Sequence, residues 1–244
     1  MKKLKTKDIV VVALLFAIMM ILNWTPLGMI PIGPISATTI HIPVVIGSIV
    51  FGYKIGGVLG LLFGLISFFN ALTSPTAASF IFINPLISII PRIFVGIIPG
   101  LAFQGLKKIE NKIDNKFMYI FWVILFIILS ILIGKNIKNG ESIFVLLIFL
   151  LVLITVSVMS IRRKDKEYFF VSLASALGAI VNTVLVLSMI YIIYGKEYAE
   201  LLGQAKDLAF KLIASIAVVN GFPEMIAVIA IATPICIQLF KQER

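Results

Sequence analysis

Long apolar runs dominate this chain, separated by short clusters of charge, proline and glycine. They fall at about residues 8–23, 37–52, 55–72, 80–104, 117–134, 143–161, 169–194 and 212–240. At ~1.5 Å per residue, a run of ~20 residues crosses the ~30 Å hydrocarbon core of a bilayer. The pattern predicts eight membrane helices, of which 37–52 is short and bent at Pro43. The opening MKKLKTKD and the apolar run behind it resemble a signal peptide. No small-x-small cleavage site follows, so the segment is expected to stay as the first helix.

Three interruptions break the helical pattern. Trp24 to Ser36 (WTPLGMIPIGPIS) holds three prolines and two glycines and cannot form a regular helix. Such an apolar loop packs on something, and two readings stand side by side: a lid over a pocket, or an ordinary re-entrant turn. The second interruption is Thr73-Ser74-Pro75-Thr76. The third, Gly195 to about Lys211, is polar, with room for a short surface helix. Gly56, Gly57, Gly60 and Gly64 crowd the third helix, where small residues four apart let backbones approach. Internal packing is the expected use.

Composition supports a polytopic membrane protein: 61% of the 244 residues are hydrophobic and 13% charged, about half the ~25% of ordinary domains. The net charge of +10 would suit nucleic acid, but topology accounts for it. With the N-terminus placed inside and eight spans, 15 of the 21 Lys and Arg fall on the cytoplasmic side and 5 outside, leaving Arg92 in the membrane. Both termini are then cytoplasmic, and nucleic acid is not an expected partner. One cysteine, Cys236, and one histidine, His41, exclude a disulfide and a Cys- or His-rich metal site.

Polar residues inside the spans are few, which makes each informative. His41, Asn70, Asn84, Asn220 and Glu224 fall on the outer half, Asn182 near the middle of the seventh helix, and Arg92 near the middle of the fourth. An arginine at that depth costs ~2.5–3.5 kcal/mol on insertion scales, so it faces protein, water or an anion. Asn84 and Arg92, eight apart, and Asn220 and Glu224, four apart, are expected to share helix faces. Pro85 and Pro91 would free backbone carbonyls there. Arg92 has two readings: a structural ion pair with Glu224, or an anchor for a substrate carboxylate or phosphate. Asn70 and Asn182 also suit hydrogen bonds between helices, and His41 suits packing. No HExxH, GxSxG or paired intramembrane carboxylates occur, and no GxxxxGK[ST] loop, so ATP hydrolysis would need another subunit.

Thr25-Pro26-Leu27-Gly28-Met29-Ile30-Pro31, then His41-Ile42-Pro43, Thr73-Ser74-Pro75-Thr76, Asn84-Pro85-Leu86 and Pro91-Arg92 resemble, in order and spacing, the pantothenate-type substrate-binding (S) components of energy-coupling factor (ECF) vitamin transporters. Ala13-x-x-x-Ala17 in the first helix is similar to the family's motif for docking the transmembrane coupling subunit. The resemblance covers residues 1–105 well and about 168–240 loosely. The family usually has six helices, so residues 117–161 read as an inserted hairpin that preserves parity.

The resemblance implies an all-α, polytopic membrane helix bundle: a first half over 1–105, a hydrophobic insertion with basic flanks over 106–167, and a second half over 168–244. It implies a non-enzymatic capture subunit in the bacterial plasma membrane that takes a vitamin from outside. A coupling subunit and two ATPase subunits, which use the ATP, would drive release, and this chain would bind no cofactor or metal. Pantothenate is the first expected ligand, with riboflavin, cobalamin or another micronutrient as alternatives. The expected substrate-binding set is Arg92, Asn84, Asn220, Glu224, His41 and Asn70. Trp24, Pro26, Met29 and Pro31 would belong to the lid, and Ala13 and Ala17 to the docking face. An ion-coupled secondary transporter, using Glu224 with Arg92, is the reading from a different class. An intramembrane enzyme would need a catalytic constellation that the sequence lacks.

Overall fold

Proline, glycine and polar caps decide where the helices start and stop. The computed structural model describes residues 6–32, 35–73, 79–140, 142–163, 166–201 and 209–242. Helix α1 (Thr6–Trp24) leads through a 3-10 turn (Pro26–Gly28) into β1 (Met29–Ile32) and β2 (Ile35–Thr38). Then come α2 (Ile42–Phe51), α3 (Tyr53–Thr73), α4 (Ser79–Phe82), α5 (Pro85–Ser88) and α6 (Ile90–Lys108). The chain finishes with α7 (Asn115–Lys138), α8 (Phe144–Arg163), α9 (Lys166–Leu201) and α10 (Ala209–Gln242). Among the described residues, seven spans are long and apolar enough to cross a membrane; α2, at 10 residues, is the short one. The result is a multi-pass helix bundle with a small antiparallel ribbon set into it, Met29 opposite Thr38 and Ile32 opposite Ile35.

Three sequence expectations change. Residues 37–41 belong to β2 and a turn, so α2 starts at Ile42; Pro43 sits in its first turn, where a missing N–H costs no bond, and starts the helix rather than bending it. The run 80–104 is not one helix but α4, α5 and α6 in succession. The stretch from Gly195 is helical as far as Leu201, past a non-helical Tyr194 (φ −130°, ψ 21°), and α10 takes up at Ala209. Residues 202–208 lie outside the described residues, as do 74–76 of the Thr73–Thr76 motif.

The glycines of α3 are packing residues. A Cβ on Gly56 would meet the Gly96 carbonyl, one on Gly60 the Arg92 carbonyl, and one on Gly64 the Ile89 Cα. Gly96 and Gly100 of α6 answer from the other side, Gly100 donating its N–H to Ser48 Oγ at 2.8 Å. Two helix backbones in contact hold α6 in a fixed position against α3.

One groove between α1, α2 and α10 is lined at one end by Val11, Phe51 and Leu239 and at the other by Leu22, Leu27 and Thr39. The described start of α1 and end of α10 therefore lie at the same end of the bundle. At that end Lys107 Nζ pairs with Glu167 at 2.6 Å, over the stacked rings of Phe103 and Phe240. Lys166 Nζ donates to the Glu110 and Ile113 carbonyls at 2.9 Å each, fastening the α6–α7 connection to α9. α7 and α8 form a hairpin that buries Trp122, Leu125 and Leu129 against Leu146, Phe149 and Leu153. It meets the body through Phe121 and Phe169, ring centroids 5.3 Å apart.

Candidate ligand site

The break between α5 and α6 creates the site. Asn84 is the N-cap of α5, its side chain accepting the Leu86 N–H at 3.0 Å, and Pro85 fills the first helical position. Pro91 then occupies the first turn of α6, with Arg92 beside it. In a continuous helix the Ile87 carbonyl would receive the N–H of residue 91, which proline lacks. Arg92 Nη1 donates to that carbonyl at 2.6 Å instead.

The Arg92 guanidinium also lies against two rings, 5.7 Å from the centroid of Phe63 and 5.4 Å from that of Phe82. Its residue exposure is 7%, and among the described residues Nε has no partner. A fork of five donors is thus aimed and only partly used. His41 lies against the same Phe63 ring (6.4 Å, 25°) and is fully buried, with neither ring nitrogen partnered among the described residues. Asn182 Oδ1 is likewise without a partner among the described residues. Gly178, one turn before Asn182, faces Val45, one turn after His41, so Asn182 and His41 stand at the same level.

Glu224, 8% exposed, accepts the Thr38 N–H at 3.1 Å, and the hydroxyls of Thr38 and Thr183 face its carboxylate. It joins the end of the ribbon to α9 and α10. Arg92 is close enough to interact electrostatically with both Glu224 and His41. Among the described residues, however, Arg92 and Glu224 do not come within the 4.0 Å of an ion pair. The structural pair expected as one reading of Arg92 is not formed here.

Asn84 sits outside the helical turn of Arg92, capping α5 and donating to the Tyr194 hydroxyl at 3.4 Å, so the shared helix face expected for the two does not exist. Asn220 is half-buried one turn before Glu224. Asn70 is not part of this cluster. It exchanges two amide hydrogen bonds with Asn23 (2.7 and 3.3 Å) in an exposed α1–α3 contact.

Of the expected lid residues, Trp24 ends α1 with 77% exposure, Pro26 is exposed in the 3-10 turn, and Met29 and Pro31 lie in β1. The ribbon is tied at its base by Thr39, whose N–H reaches the Gly28 carbonyl at 3.0 Å and whose hydroxyl reaches the Leu27 carbonyl at 2.6 Å. α2 covers only ~15 Å, about half the thickness of a hydrocarbon core, so it is too short to span a bilayer by itself. Ala13 and Ala17 are both exposed on α1, a helix that buries only Leu15 and Met19 among its residues.

The arrangement is a buried cation whose Nε is unpartnered among the described residues, inside a multi-pass helix bundle whose ribbon is tied to Glu224. A family model for the substrate-specific component of ECF transporters matches residues 7–139, from α1 through the end of α7. The chain belongs to that family. It is similar to the pantothenic acid transporter PanT of Lactococcus lactis subsp. cremoris, 37% identical over 120 aligned residues covering 43% of this chain and 61% of the relative. The pantothenate transporter PanT of Leuconostoc mesenteroides subsp. mesenteroides is 36% identical over 114, covering 44% and 55%. The matches thus span little more than half of those relatives' own lengths. The family match contains Ala13, Ala17, the ribbon, His41, Asn70, Asn84 and Arg92; Asn182, Asn220 and Glu224 lie beyond it.

Proposed function

We propose that this chain is the capture subunit of an ATP-driven ECF-type importer and that it binds pantothenate. The observation that carries the reading is Arg92: buried, aimed by the Ile87 carbonyl, set between two rings, and left with unused donors. A single ligand carboxylate is the natural partner for such a fork. The relatives' names supply the vitamin, and His41 and Asn182 supply unpartnered polar atoms for its hydroxyls and amide. Asn220 and Glu224 complete the polar lining.

The basic asymmetry orients the molecule with both termini in the cytoplasm, so the ribbon faces outward as a lid. The exposed Ala13–Ala17 face of α1 is the docking surface for a transmembrane coupling subunit, which two ATPases energise. The α7–α8 hairpin is a separable addition to the capture core. Titrating the purified protein with pantothenate tests the reading: saturable one-to-one binding is expected, and absence of binding by folded protein contradicts it. Mass spectrometry of small molecules that co-purify with the detergent-solubilised protein identifies any other ligand.

A further inference from the structure

We infer that Glu224 is a specificity-determining residue: it makes the site accept a ligand with one anionic end and one neutral, hydrogen-bonding end, and reject a dianion. The inference rests on the proposed capture of a carboxylate by Arg92. Its basis is the geometry of two opposite charges that share an interior without closing on each other.

Each charge is held on its own side. Arg92 is fixed by the Ile87 carbonyl and by the rings of Phe63 and Phe82. Glu224 is fixed by the Thr38 N–H, with the Thr38 and Thr183 hydroxyls around it. Glu224 holds Thr38, three residues before His41, and His41 shares the Phe63 ring with Arg92; among the described residues the two charges nonetheless stay beyond ion-pair distance. Opposite charges in a shielded interior attract strongly, so keeping them apart requires these separate attachments. A polar ligand lying between them has an imposed direction, its carboxylate at Arg92 and its other end at the acceptor oxygens of Glu224.

Hydroxyl or amide donors at that second end are favourable, because a carboxylate is an acceptor only. A second anionic group is not. Whichever way round a dianion enters, one of its charged ends faces Glu224, and like charges in close apposition are strongly disfavoured. Arg92 is the cation that acts on this carboxylate among the described residues, and the carboxylate of the ligand already occupies it. Pantothenate satisfies both conditions; the same molecule carrying a phosphate ester on its terminal hydroxyl fails the second.

Competition binding to the purified full chain tests this with pantothenate and its phosphate monoester as the two probes. Wild-type protein is expected to prefer pantothenate by about a hundredfold or more, and Glu224→Gln to shrink that preference at least tenfold. The shrinkage must come with tighter absolute binding of the phosphate ester, which a merely damaged fold cannot produce. Competition counts only binding-competent molecules, so partial misfolding does not move the ratio. Glu224→Asp, which keeps the charge, is expected to keep the preference. An unchanged ratio in Glu224→Gln, or loss of both ligands together, overturns the inference and leaves Glu224 as a fastener for the ribbon. Wild-type protein that binds neither probe overturns the capture reading itself, and this inference with it.

Discussion

Arg92 donates from Nη1 to the carbonyl oxygen of Ile87 at 2.6 Å, the carbonyl that Pro91 leaves without its helical partner. One residue breaks the helix and the next fills the break. The guanidinium is thereby anchored at one nitrogen, with Nε unpartnered among the described residues, and on the proposed reading the Pro-Arg dipeptide preorganises it for an anion. Pro91→Ala restores an N–H that competes for the Ile87 carbonyl and releases the arginine. Ligand affinity is expected to fall about three- to tenfold through lost preorganisation, with little change in melting temperature. Calorimetric titration against a thermal melt checks both halves.

Gly60 sets how closely Arg92 approaches α3, since a Cβ there would meet the Arg92 carbonyl. Gly60→Val overpacks this contact, with an expected cost of ~1–3 kcal/mol. Binding is expected to weaken as well, because α6 must shift at its Arg92 turn. Gly105, on the same helix but with nothing within 4 Å of an added Cβ, is the control. Gly105→Ala is expected to be neutral or to stabilise by up to ~1 kcal/mol through helix propensity. Detergent melts of the two variants compare the positions directly.

Ala13 and Ala17 lie one turn apart on an exposed face of α1 and are not among the residues in contact with Arg92, His41 or Glu224. Ala13→Trp and Ala17→Trp are expected to stop ATP-dependent uptake in cells carrying the full transporter while equilibrium ligand binding survives. Unchanged uptake in both variants would remove the docking role from this face.

Among the described residues, the ring and hydrogen-bond partners of Arg92, His41 and Glu224 come from outside the α7–α8 hairpin. Deleting 117–161 and rejoining the chain is expected to leave solitary ligand affinity within about tenfold, or ~1.4 kcal/mol. Abolished binding by a folded deletion protein would place part of the site in the hairpin.

Much of this site is legible in the sequence because charge is rare in apolar runs. Arg92, Glu224 and His41 stand out against aliphatic neighbours, and the structure brings them into mutual range. The helix break was harder to read. Asn84-Pro85 and Pro91-Arg92 look like bends in a long helix until Asn84 is seen capping α5 and proline opening each new turn. The ribbon escaped because prolines and glycines mark where helix fails without saying what replaces it. Of the two readings of Asn70, the structure shows the hydrogen bond between helices; its partner, Asn23, is 47 residues away and identifiable only once α1 packs on α3. Thr38, Thr183, Phe63 and Phe82 were invisible for another reason: hydroxyls and phenyl rings are ordinary in membrane helices, and only tertiary structure selects these four.

Arg92→Gln, measured for both pantothenate affinity and thermal stability beside Glu224→Gln and the double variant, tests the central claim most directly. The glutamine keeps similar size and some hydrogen bonding while removing the charge. Truncating one partner of a buried charge pair costs ~2–5 kcal/mol, so affinity is expected to fall by at least about thirtyfold. Because Arg92 and Glu224 are not in contact among the described residues, Arg92→Gln is expected to remain folded, and adding Glu224→Gln is not expected to raise its stability. Near-normal pantothenate binding by a stable Arg92→Gln protein, or rescue of a collapsed Arg92→Gln fold by Glu224→Gln, would contradict the account.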